Sequence, residues 1–126
     1  QYDKAAVVLR QANSPALRGS GNFHLRALLA QNLGNTLLKQ QHLTEAEKYL
    51  RQSLALWQQL GDDLMLANTW GTLAETLAAQ GQHETAVGHY DKALELLDEF
   101  PENTWAKRLK KDFTAEKAAI DIQAKN

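Results

Sequence analysis

Two segments of this chain carry the same helical pattern 40 residues apart, and this repetition limits the folds open to it. Leu33 and Leu73 are separated by 40 residues, and so are Ala46 and Ala86. A short unit of this kind cannot bury its apolar face alone and stacks on its neighbours. A period of this length therefore predicts an array of repeats.

Apolar residues at helical spacing, with few β-branched residues among them, predict helices throughout the chain. The predicted helices cover about residues 3–13, 23–40, 44–60, 63–80, 83–98 and 103–124. Proline and glycine interrupt helices or favour their ends. Most of the predicted helices are separated in this way, at Pro15, Gly61, Gly81 and Pro101.

Side chains that cap helices stand before three of these segments. We expect Asn22 to cap the second helix and Asp62 or Asp63 to cap the fourth, because their oxygens can accept from exposed backbone amides. Thr44 and Glu47 have the spacing of a capping box, which predicts a helix start at Thr44.

Composition excludes several classes of function. The 126 residues include no Cys and carry a net charge of −1. The lack of Cys excludes disulfides and thiolate metal sites and fits a reducing compartment, so we expect a cytoplasmic location. A basic excess typical of nucleic-acid binding is missing, and no apolar run approaches the ~20 residues of a membrane helix. We therefore expect neither a nucleic-acid nor a membrane partner.

Large and small residues recur at matching positions of the two copies. They are Trp70, Leu73, Ala74, Leu77, Gly81, Ala86, Tyr90 and Ala93 in the second copy, and Ala30, Leu33, Gly34, Leu37, Ala46, Leu50 and Ser53 in the first. This pattern resembles the tetratricopeptide repeat in its longer form of roughly forty residues. The resemblance implies an all-α, right-handed solenoid of antiparallel helix pairs with about six helices. Small residues such as Gly34 and Ala74 would let paired helices approach closely, and Trp70 and Tyr90 would fill the core.

The repeat alignment predicts a single domain over residues 1–126. Residues 1–21 would hold the second helix of a truncated repeat and a joint, followed by full repeats at 22–61 and 62–100. Residues 101–126 would form a capping helix over the exposed apolar face of residues 83–98, as a terminal repeat requires.

The resemblance also implies where a partner binds, because the first helix of each pair lines the concave side in this family. Beside the core positions of those helices lies a second stripe at helical spacing. It consists of Leu28, Asn32, Asn35 and Lys39 in the first copy and Asn68, Thr72 and Glu75 in the second. Asn can both donate to and accept from a peptide backbone, and similar Asn-bearing helices in long-form members hold extended peptides. The chain is therefore expected to be a scaffold that binds a peptide or partner protein in its concave groove.

Signals for catalysis or metal binding are weak. His83-Glu84 begins like a zinc-protease motif, but Val87 stands where the second His is required. We expect no enzyme activity, no metal and no cofactor. One basic run, Lys107-Arg108 with Lys110-Lys111, is interrupted by Asp112 and is interpreted as a solvated helix face rather than an RNA-binding or membrane-binding surface.

Two other functions stay open at this stage. The chain starts without Met and with a half repeat, so it fits a regulatory or sensor segment of a larger signalling protein, such as an ATPase-type regulator. Alternatively, Val7, Val8 and Leu9 on the first helix would pair between chains and make the protein an oligomerisation module.

Overall fold

The computed structural model describes residues 22–125, which form five helices and no strand. They are α1 (Phe23–Lys39), α2 (Leu43–Leu60), α3 (Asp63–Ala79), α4 (His83–Leu97) and α5 (Thr104–Lys125). The all-α class is confirmed, and the helix expected at 3–13 lies outside the described residues. Within the described part of the chain, no helix combines the length and apolarity needed to cross a membrane.

The chain divides after Gly61 into two compact units. In the first unit, α1 packs along α2. In the second unit, α3 packs along α4, and α5 packs mainly on α4 and also touches α3. The short connections within each pair make the paired helices antiparallel, as expected for helix hairpins.

The core of the first unit lies between α1 and α2. Leu33, Leu37, Leu50 and Trp57 have almost no exposed surface. Gly34 faces Leu50 so closely that an added Cβ would lie 2.6 Å from the Leu50 Cγ. The expectation that Gly34 permits close approach of the paired helices is therefore confirmed.

In the second unit, Leu73, Leu77 and Tyr90 are buried as expected. Trp70 is only half buried, so the expectation that it is a core residue is wrong. Its ring lies at the margin of the α3–α4 contact, where the His89 ring meets it edge-on with centroids 4.8 Å apart. The Lys92 ammonium lies 5.2 Å from its ring centroid, in cation–π range.

Helix α5 packs against the α3–α4 pair. Its buried apolar residues are Ala106, Leu109, Phe113 and Ile120. The Phe113 ring packs on Gly71, where an added Cβ would lie 2.0 Å from the ring Cζ.

The helix ends agree with sequence expectation at two of three capping positions. The Asn22 Oδ1 accepts from the Leu25 amide at 3.2 Å, and the Asp62 Oδ1 accepts from the Met65 amide at 3.1 Å. The capping box is wrong, because α2 begins at Leu43 and Thr44 already lies within it.

The turns between paired helices need a left-handed backbone. Gly81 supplies it in the second unit with φ 84°, whereas Gln41 adopts φ 65° at the equivalent place in the first. A side chain makes this conformation unfavourable by about 1–2 kcal/mol. The turn after α1 is therefore strained relative to its counterpart.

Candidate functional site

The stripe expected on α1 lies outside the core of the first unit. Asn32 and Lys39 are exposed, and Leu28 and Asn35 are half buried. Their spacing of four, three and four residues keeps them on one side of the helix. The α1 positions that form the core with α2 lie on another side.

A buried relay of polar side chains supports Asn35. Gln31 is 2% exposed, and its Nε2 donates to the Asn35 Oδ1 at 3.1 Å. The Ser53 hydroxyl on α2 lies 3.3 Å from the Gln31 Oε1 and 3.1 Å from the Ala27 carbonyl oxygen. Buried polar groups that are satisfied in this way hold a single geometry. Asn35 is therefore positioned from the helix-pair interior.

The relay fixes which atoms Asn35 presents. Its oxygen accepts from Gln31, so the two N–H groups of its amide point away from this bond as donors. Sequence reasoning missed Gln31. The signal available to it was a Gln one turn before Asn35, with a Ser at a small-residue position of α2.

The stripe on α3 differs from the stripe on α1. Asn68 and Thr72 are half buried, and Glu75 is exposed. The Thr72 hydroxyl donates to the Asn68 carbonyl oxygen of its own helix at 3.0 Å. Its proton is thus already used, and Thr72 can offer only acceptor lone pairs to a ligand. The relay of the first unit is also missing, because Gly71 and Ala93 stand where the first copy has Gln31 and Ser53.

The acidic end of the α3 stripe lies beside α5. The Tyr90 hydroxyl donates to the Glu116 Oε1 at 2.8 Å. Burial raises the pKa of Glu116 above its usual range, and the negative charges of Glu75 and Asp112 raise it further, against the opposing effect of the Tyr90 hydrogen bond. Burial and then Glu116 raise the pKa of Tyr90. Glu75 therefore belongs to an acidic junction of α3, α4 and α5, in which Glu116 was not anticipated from the sequence.

Among residues 22–125, no group of three or more His, Asp or Glu side chains is placed to hold a metal ion. Two of the four histidines instead contact aromatic rings. His24 meets Trp57 edge-on at 5.4 Å between centroids, and His89 meets Trp70. These contacts assign both rings to packing.

Antiparallel helix pairs related by a 40-residue period define a helical-repeat protein. The family model described as Tetratricopeptide repeat matches residues 25–99, which is more than half of the chain. The chain belongs to the tetratricopeptide repeat family. A search of curated proteins gave no match. Repeats of this family generally mediate protein–protein interactions and typically act as non-catalytic scaffolds.

Proposed function

We propose that this chain is a non-catalytic scaffold that binds an extended peptide segment of a partner protein through the polar stripes of α1 and α3. The observation that carries the proposal is the relay from Ser53 through Gln31 to Asn35. These hydrogen bonds hold the Asn35 amide in one orientation, and Asn35 lies outside the core that packs α1 against α2. Fixing a binding group before the ligand arrives lowers the entropy cost of association.

The chemistry of the stripe suits a peptide backbone. Asn35 offers N–H donors to a peptide carbonyl, and the exposed Asn32 one turn earlier offers a donor and an acceptor. An extended peptide presents both groups along its length. Lys39 adds a positive charge at the end of α1 and Glu75 a negative charge on α3, so charged side chains of the partner would be discriminated at these positions.

The test compares two double variants with equal loss of side-chain amides. Asn32→Ala/Asn35→Ala removes the stripe amides, and Gln58→Ala/Gln59→Ala removes two exposed amides from α2. A partner is first isolated with the full-length protein, its binding segment is narrowed to a synthetic peptide, and Kd is measured by isothermal titration calorimetry. Two lost hydrogen bonds at about 0.5–1.5 kcal/mol each predict an affinity loss of roughly 5- to 150-fold.

The α2 variant is expected to bind within twofold of wild type. Circular dichroism and thermal unfolding establish that both variants keep the fold. Unchanged affinity of the folded Asn32→Ala/Asn35→Ala variant would contradict the proposed role of the stripe.

A third variant tests pre-organisation separately from contact. Gln31→Leu removes the donor that holds the Asn35 oxygen but leaves the Asn35 side chain in place. The peptide is expected to bind more weakly, with the loss mainly in binding entropy, because Asn35 must then be ordered on association. Equal entropy and affinity in this variant and wild type would show that the relay has no role in binding.

A further inference from the structure

A small apolar cavity lies in the second unit at the junction of α4 and α5, away from the α3 stripe residues. It has a volume of about 170 Å³, and its apolar lining includes Leu97, Phe100 and Ala106. Ligand sites for drug-sized molecules typically have volumes of about 300–1,000 Å³. A cavity of this size therefore suits a single side chain rather than a whole small molecule.

The turn that shapes this cavity is held by backbone hydrogen bonds. The Phe100 amide donates to the Leu97 carbonyl at 3.0 Å, and the Asn103 amide donates to the Phe100 carbonyl at 3.2 Å. The Asn103 Oδ1 then accepts from the Ala106 amide at 2.9 Å and caps α5. The cavity is therefore preformed by local structure, which favours binding.

Two residues of the basic run at 107–111 lie at the edge of the cavity. From the sequence, this run is interpreted as a solvated helix face. Lys107 and Lys110 both line the cavity, together with Asp98. Lys110 Nζ bonds to Asp98 Oδ1 at 2.5 Å, so these two charges compensate each other. Lys107 is exposed and lines the cavity, whereas the exposed Lys111 one helical turn later does not. The exposed acidic residues of the turn, Glu99 and Glu102, do not line the cavity.

We propose that this cavity is a second docking site, which takes one apolar side chain of a partner segment whose flanking residues are acidic. An apolar anchor that fills a pocket at the centre, with a polar rim around it, is a common arrangement in protein interfaces. Lys107 supplies the complementary charge that selects acidic flanks. The site is independent of the stripe on α1 and α3.

Three labelled nine-residue peptides test the proposal on the full 126-residue chain. The first has a central Leu flanked by four Glu on each side, the second has a central Ala with the same flanks, and the third has a central Leu flanked by Lys. Fluorescence anisotropy gives Kd, and amide chemical shifts locate the site. The Leu peptide with Glu flanks is expected to bind at least about tenfold more tightly than either of the others, because burial of Leu and charge complementarity both contribute.

Variants then separate the cavity from general charge effects. Lys107→Glu is expected to weaken binding of the acidic Leu peptide at least about fivefold, because it reverses the charge at the edge of the cavity. Lys48→Glu makes the same charge change at an exposed position of α2 and should leave Kd within twofold. Ala106→Leu fills the cavity and should also weaken binding. Ala106 is buried, so Ala106→Leu can disturb the fold. In that case the Kd of Lys107→Glu is the test of the cavity.

The largest amide shifts are expected at Leu97, Phe100 and Ala106, and Asn32→Ala/Asn35→Ala should bind this peptide as wild type does. Equal affinity for the Leu and Ala peptides would overturn the proposal. Shifts confined to the stripe on α1 and α3 would also overturn it. A negative result for the cavity would not contradict the proposed binding role of the stripe. The two experiments use different peptides, and no variant is expected to lose binding in both.

Discussion

The substitution Gly71→Ala tests how α5 is seated on α3. The added Cβ would lie 2.0, 2.3 and 2.4 Å from three atoms of the Phe113 ring. Carbon atoms prefer separations of about 3.5–4.0 Å. Phe113 is 5% exposed and has a rigid ring, so relief requires displacement of α5.

Two opposing effects set the magnitude. Replacing Gly by Ala in a helix stabilises it by about 1 kcal/mol. Overpacking of a buried contact costs typically about 1–3 kcal/mol, and three overlapping ring atoms place this case at the upper end. We therefore expect a net loss of about 2 kcal/mol in the free energy of unfolding, or about 8 °C in Tm at roughly 4 °C per kcal/mol.

The control is Gly88→Ala on α4. Gly88 is exposed, and no atom lies within 4 Å of its added Cβ. This substitution should stabilise the chain by about 1 kcal/mol through helix propensity alone. Urea unfolding followed by circular dichroism gives both free energies, and hydrogen exchange of the α5 amides shows whether α5 is the element that loosens.

A double-mutant cycle identifies the cause. Phe113→Leu removes the ring atoms that overlap, so Gly71→Ala should cost at least about 1 kcal/mol less in that background than in wild type. If Gly71→Ala instead stabilised the chain as much as Gly88→Ala does, the close seating of α5 on Gly71 would be refuted.

Three further outcomes are expected. Gln41→Gly should stabilise the chain by about 1 kcal/mol in urea unfolding, because Gly tolerates a φ of 65°; a loss of stability would show that the turn is not strained. Tyr90→Phe should lower the free energy of unfolding by about 1–3 kcal/mol, because Glu116 then lies half buried without its donor, and an unchanged value would contradict that role of the hydrogen bond. The raised pKa of Glu116 means that the folded state holds its proton more tightly than the unfolded state, so the free energy of unfolding should fall as pH rises from about 4.3 through the higher folded pKa. Glu116→Gln should remove this fall in unfolding curves from pH 4 to 7, and an unchanged pH profile would assign it to other groups.

The period of the sequence was enough to predict most of the fold. Apolar residues recur every 40 residues at positions such as Leu33 and Leu73, and the helices containing them begin and end within a residue or two of the expected positions. Helix periodicity and end signals are local properties, so they can be read without knowledge of contacts. The predicted start of α2 is one residue late, because the capping-box spacing places it at Thr44 whereas the N-cap residue is His42.

The contacts between helices could not be predicted in the same way. Gly71 and Phe113 are far apart in sequence, and nothing local indicates that one makes room for the other. Trp70 had the size and spacing of a core residue, but its position at the margin of the α3–α4 contact left it half exposed. Packing geometry of this kind depends on how helices approach each other, which a residue pattern constrains only loosely.

For the candidate site, sequence periodicity predicts the positions of the stripe but not its chemistry. Donor and acceptor roles depend on which atoms are already bonded within the fold. Thr72 has its proton committed to Asn68, and Asn35 has its oxygen committed to Gln31. Both facts require the side-chain geometry. They change the expected roles from generic polar contacts to a specific donor at Asn35 and an acceptor at Thr72.

The side-chain amide resonances of Asn35 test the proposed binding stripe most directly. In a nitrogen–proton correlation spectrum, they are followed while the mapped partner peptide is added, with the Gln58 side-chain amide on α2 as the internal control. If Asn35 donates to the peptide backbone, its resonances shift in proportion to the bound fraction and its protons exchange more slowly with water, while Gln58 stays unchanged. Full binding of the peptide with no change at Asn35 would contradict the proposal.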